Sequence, residues 1–174
     1  MTAAPQQPRP LLDRLTLRSP RTSAVMSAAL MRLPVNSRLR RAALVDAFAR
    51  GNRALNRGDL EATFAAFPEN VEWNVLPDIA ALTGMSAVLR SRAEAIQFLE
   101  RILEVVDWSV EIKELSDLGG GRVLLRCVGH QTGAASGLSG DVPFSQLWEI
   151  EKGRVRRVRD FADHGEALAA AGST

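Results

Sequence analysis

The sequence predicts an α+β domain in which helices come first and a mostly antiparallel sheet follows. Three observations carry this. Apolar residues recur at helical steps of three and four up to Phe67. From Val106 they alternate with polar residues at a step of two, and glycine-bearing turns separate the alternating runs. A run of helices followed by a run of strands folds as helices laid against one face of a sheet.

Each element has a local reason. Asn36-Ser37 can cap a helix in which Leu44, Phe48, Gly51 and Leu55 share a face, and Gly58 ends it. Asp59 caps a shorter helix carrying Leu60, Phe64 and Phe67, stopped by Pro68. Val71, Trp73 and Val75 alternate with Glu72 and Asn74 as a half-buried strand. Leu76 to Arg90, with Pro77 and Gly84, reads as an irregular flap. Ser91 and Glu94 form a capping box that opens a third helix through Glu104.

Val106, Trp108, Val110 and Ile112 then begin a meander, turned at Gly119-Gly120-Gly121. The next run, RVLLRCVGHQT, is apolar enough to be covered on both sides. After a loop of small residues, Val142, Phe144, Gln146, Trp148 and Ile150 share one face. A Lys152-Gly153 turn leads into a last strand and a short helix around Glu166 and Leu168.

Composition narrows the function classes. The chain has 174 residues, enough for one domain, with 46% hydrophobic and 24% charged residues. No apolar run approaches the ~20 residues that span a bilayer, so no membrane role is expected and the location expected is cytoplasmic. The net charge of +2 conceals an asymmetry. Up to Arg41 there are eight arginines and one acid, Asp13, whereas the remainder holds fourteen bases against nineteen acids. The basic character therefore belongs to a leading arm, residues 1–35, and the domain proper is 36–174. A nucleic-acid protein carries its basic patch on the folded surface, so no nucleic-acid partner is expected.

The arm has five prolines (5, 8, 10, 20 and 34) and is expected to be a disordered basic extension with no catalytic role. It lacks the continuous apolar stretch of a secretory signal, and its Arg-rich, acid-poor make-up resembles an organelle transit peptide. Cys127 is the one cysteine, in the apolar run VLLRCV, and reads as a buried strand thiol. The two histidines are far apart with no ligand-spaced acids, so no metal site is expected.

Several short stretches together resemble a known family. They are Asn56-Arg57-Gly58-Asp59-Leu60, Val71-Glu72-Trp73, Arg90 to Leu99, the Ser136-Gly137 loop, Phe144 to Trp148, and Gly153-Arg154-Val155 running into Arg159-Asp160-Phe161. In order and spacing, from Arg38 to Gly172, they resemble the SnoaL-like (polyketide cyclase-like) branch of the nuclear-transport-factor-2-like superfamily, which includes ketosteroid isomerase and limonene epoxide hydrolase. The resemblance implies a cone-shaped fold with a hydrophobic cavity between helices and a curved sheet. It also implies a homodimer through the sheet's outer face, and no metal or nucleotide cofactor.

Asp160 is the leading chemical candidate. The acid of the similar Arg-Asp-Tyr run in the epoxide-hydrolase-like branch points into the cavity, and a carboxylate at an apolar pocket has a raised pKa suited to acid or base work. His130, on the same strand face as Arg126 and Val128, is the second candidate, as a proton-handling partner of Asp160 or as an exposed loop-edge histidine. His164 is expected to cap the final helix. Trp73, Trp108 and Trp148 are candidate cavity walls, each indole N–H needing a partner. Gln146 and Arg126 are polar groups on apolar strands and so candidate ligand-orienting residues.

Two departures limit the analogy. The chain has no tyrosine, so the ketosteroid isomerase oxyanion arrangement is absent in that form. Arg126 is followed by Cys127 and Val128, so the middle acid of the epoxide hydrolase pattern is missing. The reading that remains is binding of a small hydrophobic molecule in an apolar cavity, with acid/base isomerase or cyclase chemistry through Asp160 and His130. The alternative is a non-catalytic ligand-binding or dimerisation module.

Overall fold

The structure, a computed structural model, describes residues 9–10, 17–133 and 139–172; the Ser136-Gly137 loop falls outside them. The helices that precede the sheet follow from their caps. Ser37 accepts from the Arg40 N–H and opens a helix over Arg38–Asn56 (α2). Asp59 accepts from the Ala62 N–H and opens the short α3, Leu60–Thr63. Ahead of both, Pro20–Met31 forms α1. This differs from the expected structureless arm for a plain reason. Pro20 stands in the first turn, where a missing N–H costs nothing, and the twelve residues after Ser19 contain no other proline.

The stretch read as a flap is likewise structured. Pro77–Thr83 is a helix (α4), with proline in its first turn and Gly84 left-handed at its end, and Val88–Ser91 is a strand (β2). The capping box at Ser91 is half formed as written. Ser91 accepts from the Glu94 N–H at 3.1 Å, but the Glu94 carboxylate takes the Arg90 N–H at 2.7 Å rather than that of Ser91. It opens α5, Arg92–Val105.

Six strands form one open, mixed sheet in the order β2-β1-β6-β5-β4-β3. The strands are β1 Asn70–Asn74, β3 Val106–Gly119, β4 Arg122–Gly133, β5 Ser139–Glu151 and β6 Arg154–Phe161, together with β2. The last four are joined as the expected hairpins, and β1 lies parallel to β6. At the β5–β6 turn Lys152 and Gly153 both have positive φ, 51° and 75°, the conformation whose twist matches a two-residue hairpin.

Helices α2 to α5 cover one face, where two apolar clusters meet around Phe64, Trp73, Phe98, Leu125 and Phe144. The final helix, α6 (His164–Gly172), packs on the other face through Ala167 against Leu124 and Leu147. Helices therefore sit on both faces, not on one as expected. The alternation of β4 and β5 explains this: Leu124 and Leu147 point away from Leu125 and Gln146, and their apolar side chains need cover too. His164 does not cap α6. Asp163 accepts from the Glu166 N–H, while His164 Nδ1 lies 2.9 Å from Ser145 Oγ and ties the helix to β5.

Two polar anchors dock α2. β3 is an edge strand, and the backbone of Val110 is satisfied from outside the sheet: Asn52 and Asn56 donate to its carbonyl, and Asn56 accepts from its N–H. Arg40, almost wholly buried, forks onto Asp117 at 2.6 and 2.8 Å and also donates to the carbonyls of Met31 and Leu33. Among the described residues no helix is long and apolar enough to cross a membrane, and no group of three potential metal ligands comes together.

Breaking a buried pair by removing one partner leaves an uncompensated charge, which costs far more than the pair contributes. Arg40→Ala should therefore lower the unfolding free energy by ~3–5 kcal/mol in urea denaturation at neutral pH. A loss under ~1 kcal/mol would mean that Asp117 finds water in its place.

Candidate functional site

Between α2, α5 and the inner sheet face lies a cavity of about 270 Å³, lined almost throughout by apolar side chains. That volume is just under the ~300 Å³ at which small-molecule pockets begin, so only a small ligand fits. Strand parity decides what faces it. On β5 the inward set is Val142, Phe144, Gln146, Trp148 and Ile150, the set the alternation predicted. On β6 it includes Val158 and Asp160, because Gln146 pairs with Asp160 and Trp148 with Val158.

Asp160 is the one carboxylate in the lining among the described residues, and its surroundings are specific. Its Oδ1 accepts from the Trp73 indole at 3.0 Å and from the Gln146 amide at 2.9 Å. Gln146 in turn accepts from the Trp148 indole at 3.1 Å. An indole can only donate, so the Gln146 oxygen must face Trp148 and its NH2 must face Asp160. Oδ1 is thereby committed as an acceptor. Oδ2 has no hydrogen-bond partner among the described residues, and it is the oxygen left to carry a proton or meet a ligand.

The ring packing holds this chain in place. Trp148 is edge-on to Phe48 and Phe67, at 5.0 and 5.6 Å between centroids, and Trp73 is edge-on to Phe98 at 5.6 Å. Burial in this apolar setting pushes the Asp160 carboxyl up to about 7, and the bonds from Trp73 and Gln146 only partly offset it. No salt bridge involving Asp160 occurs among the described residues. Cys127 also lines the cavity, and burial, followed by the nearby Asp160 charge, pushes its thiol up to about 12. It is inert as a nucleophile.

Of the seven candidate residues, the structure brings four together: Asp160, Gln146, Trp73 and Trp148. Trp108 lines the cavity elsewhere, against Phe144 and over Gly129, where a Cβ would collide with its ring. His130 and Arg126 are not in the site. They share the parity of Leu124 and project from the opposite face, where Arg126 is exposed and His130 contacts Asp141 at 2.8 Å and Glu111 at 3.5 Å. Those acids, Asp141 foremost, raise the His130 pKa; the pair with Asp160 does not exist. Phe48 and Asn52 of α2, also in the lining, were not singled out as site residues in the sequence, although Asn52 and Asn56 one turn apart on an apolar helix face were a visible signal.

The raised pKa has a consequence for stability. Between the ordinary carboxylate value of 3.8 and about 7, folded Asp160 keeps a proton that the unfolded chain has released. Its contribution to stability is complete below that ordinary value and is lost as pH rises through 7. Asp160→Asn removes the buried charge and keeps an acceptor for Trp73. In urea denaturation the variant should be more stable than wild type at pH 8, on the order of 2–4 kcal/mol, with little difference at pH 4. Equal slopes against pH in the two proteins would show that Asp160 titrates normally.

No curated protein shows significant similarity to the chain. Solved structures do share its fold. An NTF2-like protein of unknown function from Burkholderia pseudomallei is 22% identical over 74% of this chain and 97% of that chain, with a TM-score of 0.60. SalBIII, described as an epoxide hydrolase/cyclase-like enzyme in pyran ring formation in the polyether salinomycin, is 18% identical over 67% and 87%, with a TM-score of 0.54. A Mycobacterium tuberculosis protein in complex with estradiol-17beta-hemisuccinate is 13% identical over 70% and 94%, with a TM-score of 0.57. Identities this low speak to the fold alone. The sequence itself is matched over residues 45–158, well over half its length, by the SnoaL-like domain, and the chain belongs to that family.

Proposed function

We propose that the chain binds a small, largely apolar molecule bearing a carbonyl or hydroxyl group, and that Asp160 is the acid or base in its isomerisation or cyclisation. One observation carries this: a carboxyl group in an apolar cavity has one oxygen locked by two donors and the other free. With a pKa of about 7 both protonation states are populated near neutrality. Protonated, Oδ2 donates to a ligand oxygen; ionised, it takes a proton from a carbon beside a carbonyl and can return it elsewhere on the same molecule. Proton transfer of this kind asks for nothing beyond the acid and a shaped pocket. That fold relatives hold a steroid ester or close pyran rings supports the ligand class.

A second reading is non-catalytic binding, and a specific fact favours it: His130 lies across the sheet, paired with Asp141, and does not assist Asp160. A homodimer through the outer sheet face belongs to the same proposal. There α6 covers Leu124 and Leu147 and leaves the region of Arg126 and His130 for a second copy.

Small molecules co-purifying with wild type and with Asp160→Asn, compared by mass spectrometry, separate the two readings. Asparagine keeps a hydrogen-bonding group toward the ligand but cannot shuttle a proton. The variant should retain a compound whose isomerised or cyclised form appears only with wild type, and turnover of that compound should fall at least ~10²-fold. The same compounds in the same ratio from both proteins would make the domain a binder.

A further inference from the structure

The cavity has a wall outside the stretch that the family model matches. α1 lies wholly before residue 45, where the family match begins, yet Ser27, Leu30 and Met31 of α1 line the cavity. Met31 packs into the cluster formed by Leu44, Val110, Leu125, Cys127 and Phe144. Its opposite face is free, with Val25 and Met26 exposed to solvent.

The seating of α1 is well defined. At one side its backbone at Ala24 and Ala28 rests on Gly153, where any Cβ would collide with it. At its C-terminal end, Arg40 donates to the carbonyls of Met31 and Leu33 while holding Asp117. A cation there meets the negative end of the helix dipole. These contacts fix α1 across the end of the cavity marked by Ile150 and Gly153. Ile150 lies four residues beyond Gln146 on β5, roughly 13 Å at a strand's rise, so the wall stands at a defined distance from Asp160.

We infer that α1 is the end wall of the ligand cavity and that Leu30 and Met31 determine how long a ligand it admits. A molecule whose oxygen meets Asp160 Oδ2 extends its apolar portion along β5 until it reaches these two side chains. The functional unit then begins at α1, not at residue 36. This rests on the reading of the cavity as an apolar ligand site.

Methyl n-alkyl ketones of increasing chain length supply the test, each titrated into the full chain and read by displacement of the neutral fluorophore N-phenylnaphthylamine. Affinity should rise roughly fourfold per methylene and then stop at a cutoff, where the chain meets the wall. Leu30→Ala and Met31→Ala should move the cutoff to longer ketones, and Met31→Trp should move it to shorter ones. Val25→Ala, on the exposed face, should leave it unchanged. Opposite shifts from two substitutions at one position cannot come from a loss of folding. A cutoff common to all the proteins would overturn the wall assignment while leaving the ligand reading intact. No binding of any ketone to any variant would overturn both, and binding confined to Met31→Ala would show the wall shut against the series.

Discussion

The structure depends on a carboxyl group set in an apolar cavity, poorly solvated and, among the described residues, without a cation to neutralise it. An ionised acid in such a setting is costly, and proteins answer by pairing the charge, by hydrogen-bonding it or by keeping the proton. Here the answer combines the last two. Trp73 and Gln146 commit Oδ1, and the shift to about 7 leaves the proton on Oδ2 for much of the accessible pH range. The two tryptophans and the glutamine are thus explained together. Each indole N–H is satisfied, and the amide is oriented by partners at both ends, which sets the direction of the whole chain of bonds.

That arrangement is a product of register. Asp160 stands opposite Gln146 because β5 and β6 pair through a two-residue turn, and Trp73 reaches it because β1 runs parallel to β6 with Trp73 beside Val158. A slip of one residue in the β5–β6 pairing would turn Asp160 to the outer face, and one in the β1–β6 pairing would turn Trp73 there. The helices complete the enclosure. The Asn52 and Asn56 contacts with Val110 hold α2 against the edge strand, and the Arg40–Asp117 pair fixes the α1–α2 corner. These polar anchors satisfy one another and the backbone, so the lining stays largely apolar around the one acid among the described residues.

Much of this was legible in the sequence. Period-two runs and their turns define four consecutive strands, and the parity of β5 names the cavity-facing residues, Gln146 and Trp148 among them. Parity within β4 was equally readable, but which of its faces turns inward was not. His130, Arg126 and Val128 share a face with Leu124, and only inter-strand register shows that Cys127 and Leu125 are the inner set. The two helices missed, α1 and α4, each begin with proline in the first turn. Proline was read there as a breaker, when at that position it is a start signal. The Asp160 cluster itself joins residues up to 87 positions apart, a distance over which no local pattern carries information.

The central claim is the state of one carboxyl group. Carbon-detected NMR of the side-chain carboxyls, with Asp160 assigned by its loss in Asp160→Asn, measures its titration directly in the folded chain. A midpoint near 7, displaced when Gln146 is replaced by leucine and one stabilising donor is lost, is the predicted result. A midpoint near 4 would mean that Asp160 is solvated and ionised at neutral pH, contradicting the account of the cavity as an apolar acid/base site.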